Sequence, residues 1–235
     1  VATYKDGKAV STGTGFVYKK EGSTAYIMTN NHVISGGDSA KVIFSDGTSA
    51  DTQILGGETY SDIAVLTVSA ASIKQVATLG NTDKIKLGDT TFAVGAPLGD
   101  TYSGTVTKGI LSGKDRLVAV SFSGSNSDYY MKVLQTDAAL NPGNSGGPLC
   151  NVNGEVIGVT SLKLTEEKTS STTSYSVEGM GFAIPSNDVV RIIAELEANG
   201  EVIRPVLGVS MMDLQQVSVS QQQNILNLPE DVTTG

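Results

Sequence analysis

One histidine constrains this chain more than any other residue. His32, in Thr29-Asn30-Asn31-His32-Val33-Ile34, is the sole imidazole among 235 residues. It lies upstream of the glycine turn Asn141-Pro142-Gly143-Asn144-Ser145-Gly146-Gly147-Pro148-Leu149. That turn displays one hydroxyl, Ser145. A serine hydroxyl is a weak nucleophile at neutral pH until a neighbouring base takes its proton. The oxyanion that follows attack on a carbonyl needs donors already aimed at it. Asn141-Pro142-Gly143-Asn144 fits a type II turn with Gly143 at the positive-φ centre. Such a turn can point the N–H groups of Gly143 and Ser145 into one concavity, while Gly146 and Gly147 admit a substrate backbone. If Ser145 is a nucleophile, His32 is its base; the competing reading is a tight glycine turn with an incidental serine.

Chain order narrows the architecture. Gly143-Asn144-Ser145-Gly146-Gly147 matches the G-x-S-x-G elbow of α/β-hydrolases, but those enzymes place histidine after serine, and none follows Ser145. The subtilisin order would need Asp6, which sits in the polar stretch Tyr4-Lys5-Asp6-Gly7-Lys8. The order His, Asp, Ser of the chymotrypsin arrangement remains. Among the intervening acids, Asp38 follows two glycines and Asp46 precedes Gly47, as turn residues do. Asp62 instead immediately precedes Ile63-Ala64-Val65-Leu66-Thr67-Val68, which reads as a buried strand. An acid there can accept Nδ1–H and fix the imidazole tautomer; its plainer role is a strand-end carboxylate paired with an N–H or a lysine.

Short apolar or alternating runs recur between turn signals: 15–18, 25–29, 41–44, 53–55, 63–68, 91–94, 104–111, 117–122, 130–135, 156–160 and 181–184. This rhythm predicts an all-β fold. The 27 glycines exceed the ~7% average and favour many tight turns. About a dozen strands suit two six-stranded barrels, with a boundary near 70–88. One helix is expected, capped by Ser186-Asn187-Asp188 and stopped by Gly200, with Val189, Ile192, Ile193 and Leu196 on one face toward the second barrel. The polar loop Thr165–Ser176 is expected to be mobile. Cys150, the sole cysteine, reads as an inert core thiol.

A net charge of −8 argues against a nucleic-acid or anionic-membrane surface. No run approaches the ~18 apolar residues of a membrane-spanning helix. Val1 begins no signal peptide, and an anchor upstream of it is compatible with the sequence.

Thr-Asn-Asn-His-Val-Ile, Ser61-Asp62-Ile-Ala-Val-Leu and Asn-Pro-Gly-Asn-Ser-Gly-Gly-Pro-Leu together resemble the HtrA (Deg) serine proteases. Gly181-Phe182-Ala183-Ile184-Pro185 is similar too. Arg204-Pro205-Val206-Leu207-Gly208-Val209 resembles the opening of that family's PDZ domain. The resemblance implies a chymotrypsin-like double six-stranded β-barrel with a C-terminal helix over 1–203, and a truncated PDZ start over 204–235. It implies ATP-independent endoproteolysis of misfolded or unfolded proteins outside the cytoplasm, no cofactor and no metal. It also implies a homotrimer, with Tyr4 as a candidate contact, and a membrane association only through an N-terminal anchor.

On this reading Ser145 attacks, His32 is general base and then acid, Asp62 orients His32, and Gly143 and Ser145 N–H hold the oxyanion. Ala139 stands six residues before Ser145, where an acid would select Lys or Arg. With Leu140 and Leu162 it predicts a small apolar pocket, and substrate adds as a strand along Thr160-Ser161-Leu162. The short Lys19-Lys20-Glu21-Gly22-Ser23 turn leaves no room for the long first-barrel loop of some relatives. Where digestive relatives carry an acid, this chain has Asn144, so activation by an ion pair with a new N-terminus is not available. A binding protein or holdase on the same fold, with an idle triad, is the alternative class.

Overall fold

The computed structural model describes residues 1–121, 128–162 and 179–205. The first seven strands are β1 (Ala2–Lys5), β2 (Lys8–Thr12), β3 (Phe16–Glu21), β4 (Thr24–Thr29), β5 (Ser39–Ile43), β6 (Ser49–Glu58) and β7 (Ile63–Ser69). A single helical turn, α1 (Asn31–Ile34), follows β4. These strands form one sheet in the order β2-β1-β5-β6-β7-β4-β3. Two 3-10 turns, Ala70–Ser72 and Thr82–Lys84, occupy the connection to the second half. There β8 (Thr90–Gly95), β9 (Thr105–Ser121), β10 (Asp128–Thr136), β11 (Pro148–Cys150), β12 (Val156–Thr160) and β13 (Gly181–Pro185) close a barrel in the order β10-β13-β12-β11-β8-β9. Helix α2 (Ser186–Asn199) follows. The fold is all-β with a C-terminal helix.

The first half has seven strands because of a hairpin the hydrophobic pattern hides. β1 and β2 pair as far as Lys5↔Lys8, joined by Asp6 and Gly7 at φ 50° and 73°. Positive φ at both centres defines the type I′ turn, for which Asp-Gly is a preferred pair. β2 is exposed along most of its length, so it shows no apolar alternation. Tyr4, half-buried in β1, lies opposite Ala9 and Ser39. The β3–β4 hairpin is equally tight, closing at Glu21↔Thr24 with Gly22 at φ 56°.

Two runs expected as separate strands, 104–111 and 117–122, are one: β9 continues across the polar Ser112–Arg116 by pairing with β10 through register shifts near Gln135. Phe122, the loop Thr165–Ser176 and the PDZ-like stretch from Val206 lie outside the described residues. The chain divides into Val1–Val202 and Ile203–Gly235.

Helix α2 corrects two expectations. Ser186 and Asn187 do not cap it; the N-cap position is Pro185, with no side-chain hydrogen bond. Their side chains are engaged by the inter-half connection instead: Ser186 Oγ donates to Gly80 O (2.6 Å), and Asn187 Oδ1 accepts from Thr82 N–H (3.1 Å). The apolar stripe Val189, Ile192, Ile193 and Leu196 is buried, but it does not face the second barrel alone. It packs in one cluster with Met28, Ile63 and Val65 of the first sheet and Val133, Val159 and Ile184 of the barrel. Glu197 anchors the first-sheet side, accepting from Tyr18 Oη (2.8 Å) and Lys19 Nζ (2.7 Å). Burial, then the Glu197 hydrogen bond, pushes the Tyr18 phenol up, so it stays a donor at neutral pH. Gly200 ends the helix in the left-handed conformation at φ 75°.

Leu196, fully buried in this cluster, tests the seam. Leu196→Ala is expected to cost about 2–5 kcal/mol in urea unfolding. A loss below about 0.5 kcal/mol would contradict a packed seam.

Candidate active site

β4 ends at Thr29, and the chain turns at once into α1, which carries His32. Asp62 sits immediately before β7, whose first four residues are fully buried. The Asp62 backbone is left-handed at φ 55°, uncommon for a residue with a side chain. Its carbonyl is held there by Asn31 N–H (3.1 Å) and Asn30 Nδ2 (2.8 Å). Its carboxylate is 1% exposed. Oδ1 accepts from His32 N–H at 2.9 Å, and Oδ2 lies 2.7 Å from His32 Nδ1. Ser161 Oγ also donates to Oδ2, at 2.9 Å. A carboxylate facing Nδ1 keeps the proton on that nitrogen and leaves Nε2 as the acceptor. The preceding turn is braced by Glu58, a buried carboxylate that accepts from Tyr60 N–H, Ser61 N–H and the Ser61 hydroxyl.

Asn144 N–H donates to Asn141 O at 2.9 Å, and Gly143 has φ 106°, as a type II turn requires. A Cβ at Gly143 would lie 2.3 Å from Ala96 O. Leu98 N–H donates to Pro142 O (2.8 Å). Because N–H and C=O oppose each other across a trans peptide, this bond sets the direction of Gly143 N–H. Neither Gly143 N–H nor Ser145 N–H has an acceptor among the described residues. Ser145 is buried, and its Oγ accepts from Leu162 N–H at 3.2 Å. Thus the structure joins His32 to Asp62 and Ser145 to Leu162, while His32 and Ser145 are not hydrogen-bonded to each other. Such nucleophile–base contacts often tighten only when substrate binds.

Asn144 is buried, and its Oδ1 has no partner among the described residues. It presses on Gly95, where a Cβ would lie 2.4 Å from Oδ1. Among the described residues no ion pair holds this turn; neutral bonds do.

The expected pocket residues separate into different roles. Thr160 is consumed by the scaffold: its hydroxyl donates to Asn144 O (2.7 Å) and Gly147 O (3.1 Å), its N–H to Gly147 O, and its carbonyl accepts from Gly146 N–H. Ser161 spends its hydroxyl on Asp62, while its carbonyl accepts nothing among the described residues. Ala139 is exposed, with its carbonyl accepting from Thr107 Oγ1 (2.8 Å). Leu140 is half-buried against Gly181, where a Cβ would lie 2.7 Å from its Cδ1. Cys150, half-buried in β11, has its thiol pushed up by burial, which suits an inert group. A cavity of about 290 Å³, lined in part by Val1, Phe16, Val42, Phe44, Gly95 and Pro148, touches none of His32, Asp62 or Ser145.

The sequence reading missed Glu58, Leu98 and the tie from Ser161 to Asp62. Only Leu98-Gly99 left a turn-like signal, and nothing in it pointed to Pro142.

A model of the trypsin-like peptidase domain matches residues 13–159, which include His32, Asp62 and Ser145. The serine protease Do-like HtrA of Lactococcus lactis subsp. lactis (strain IL1403) is 46% identical over 225 residues, covering 96% of this chain and 54% of the relative. The Do-like HtrA of Bacillus subtilis (strain 168) is 46% identical over 217 residues, covering 92% and 46%. The chain thus spans about half the length of the curated relatives it matches. Among solved structures, the serine endoprotease from Yersinia pestis superposes with a TM-score of 0.71 at 29% identity, over 89% of this chain and 66% of that one. The HtrA-type protease AlgW with decapeptide gives 0.70 at 33%, over 97% and 62%.

Gly143→Ala probes the turn separately from the His32–Asp62 pair. The downfield Nδ1–H proton signal of the sole histidine is expected to persist, while fluorophosphonate labelling of Ser145 slows about 10²-fold, as when one oxyanion donor is lost. Labelling at the parent rate would remove the turn from the chemistry.

Proposed function

Since the chain belongs to the HtrA (Do-like) serine proteases, built on a trypsin-like peptidase domain, we propose that it is a serine endopeptidase using His32, Asp62 and Ser145. Nε2 of His32 takes the proton of Ser145 Oγ as it attacks a peptide carbonyl, and returns it to the leaving amine. Asp62 holds the tautomer and offsets the charge of the imidazolium. Gly143 and Ser145 N–H receive the oxyanion. The observation that carries this reading is a pair of amides with no acceptor among the described residues, on a turn whose hydroxyl has one imidazole in the whole chain to serve it.

The substrates are unfolded or misfolded proteins, degraded without ATP in quality control outside the cytoplasm. Ala139, Leu140 and Leu162 border the side-chain pocket, which takes Val, Ala, Ile or similar residues. The Ser161 carbonyl receives the substrate N–H, which narrows strand addition along 160–162 to the residues after Thr160. Residues 204–235 begin a PDZ domain, and the working assembly is a homotrimer. The membrane attachment belonging to this reading is an anchor upstream of Val1; among the described residues no helix is long and apolar enough to cross a membrane.

Fluorophosphonate is expected to label Ser145, and casein cleavage to vanish in Ser145→Ala and His32→Ala. Asp62→Asn is expected to lose on the order of 10⁴ in kcat. A folded protein that neither labels nor cleaves would favour the holdase reading, and full turnover by His32→Ala would break the triad assignment. A peptide-library profile dominated by Lys or Arg at the cleaved position would refute the apolar pocket.

A further inference from the structure

Thr14 lies in the connection between β2 and β3, in the first half of the molecule, yet its hydroxyl and its N–H are both committed to the neighbourhood of Ser145. Its hydroxyl donates to Gly143 O at 2.6 Å and accepts from Ala96 N–H at 3.0 Å. Its N–H donates to Ser145 O at 2.8 Å. Its carbonyl accepts from Thr29 Oγ1 at 2.7 Å. Both flanking residues are glycines in crowded places, Gly13 against the Ser145 turn and Gly15 against its own sheet. A Cβ at Gly13 would lie 2.9 Å from Ser145 O, and one at Gly15 2.8 Å from Met28 O.

We propose that Thr14 is a positioning residue for the oxyanion turn, a latch thrown from the first sheet across to the barrel. Through hydroxyl and amide it takes the two carbonyls, Gly143 and Ser145, that bracket the Asn144–Ser145 peptide. The N–H of that peptide is one of the two assigned oxyanion donors. Holding Gly143 C=O also fixes the plane on the far side of Gly143, whose near side is fixed by Leu98 N–H on Pro142 O. With both planes tied, Gly143 keeps its positive φ and its N–H stays directed into the site. Asn144 contributes no charge to this task, so the Thr14 hydroxyl supplies orientation that an ion pair would otherwise supply. Only a β-hydroxyl serves, because one atom must accept from Ala96 and donate to Gly143 at once.

The inference rests on the endopeptidase reading above, and its test separates the two. Thr14→Val keeps the shape and removes the hydroxyl; Thr14→Ser keeps the hydroxyl. In the whole chain, Thr14→Val is expected to lower kcat on fluorescent casein and the rate of fluorophosphonate labelling about 10- to 100-fold. KM is expected to stay within about 2-fold, as for an interaction made only in the transition state. Thr14→Ser should restore both rates to within about 3-fold of the parent. Should Thr14→Val fail to fold, Thr14→Ala, which only removes atoms, reads the same rates. Parent-like labelling by Thr14→Val or Thr14→Ala overturns the latch and leaves the endopeptidase intact. A fall in thermal midpoint and activity together, without rescue by serine, assigns Thr14 a merely structural role and also overturns it. A parent protein that is neither labelled nor active removes the endopeptidase reading and the latch with it.

Discussion

A carboxylate with almost no access to water organises this molecule. Asp62 is 1% exposed, and a buried charge persists only where hydrogen bonds replace its lost hydration. Its replacements come from separate parts of the chain: the backbone and ring of His32 on α1, and the hydroxyl of Ser161 just beyond β12. All must be in register before the charge is tolerated. Leaving such a charge without a partner costs about 3–5 kcal/mol, so β4, β7 and β12 are bound to one geometry around it. The strained left-handed backbone of Asp62 belongs to the same constraint. Asn30 and Asn31 hold its carbonyl on one side, and Glu58 ties the turn before it on the other.

The turn that presents Ser145 is secured differently. Pro142, Gly143, Asn144 and Ser145 carbonyls are held by Leu98, Thr14, Thr160 and the Thr14 amide, all neutral groups. Each such bond contributes about 0.5–1.5 kcal/mol net. A carboxylate at position 144 paired with a buried ammonium would commit the turn far more strongly. Coupling between distant sites is typically about 1–3 kcal/mol, the same scale as the loss of one or two of these bonds. A turn so held can be set or released by modest contacts on the loop from Ala96 to Gly104 or on the β2–β3 connection. On the proposed mechanism the chemistry resides in Ser145, His32 and Asp62, whereas the geometry of the turn resides in Leu98, Thr14 and Thr160.

What the sequence made legible follows from how local each signal is. The nucleophile turn is written in consecutive residues, and His32 needs no choice because it stands alone. Asp62 was readable because a charged residue abuts the run Ile63–Val68, apolar but for Thr67. Ser161 was read only as a strand edge, since its tie to Asp62 bridges residues far apart in the chain and leaves no local pattern. Thr14 and Leu98 escaped for the same reason, whereas Glu58 ties only the next three residues and left no apolar pattern to read. The β1–β2 hairpin was missed although Asp6-Gly7 announced it, because a strand exposed on most positions lacks alternation. In α2 the stripe and the Gly200 stop were legible from spacing. The cap was not: Ser186 and Asn187 found partners near Gly80 and Asn81 that outcompete the helix's own amides.

The proposed base and nucleophile come from different halves. His32 and Asp62 belong to the first sheet and Ser145 to the barrel, so the distance between them is set by packing across the seam rather than within either sheet. Helix α2 lies over that seam, with Leu196 and Ile192 buried among side chains from both sides. Its N-terminus is pinned to the inter-half connection through Ser186 and Asn187, and its C-terminal turn to the first sheet through Glu197. Close packing transmits small displacements instead of absorbing them. A helix wedged at both ends therefore fixes how the half carrying His32 meets the half carrying Ser145, while Thr14 and Ser161 cross the same seam in opposite directions, to the Ser145 turn and to Asp62. The three proposed reacting groups are few and far apart in the chain, so their alignment is a property of the whole interface between the two halves.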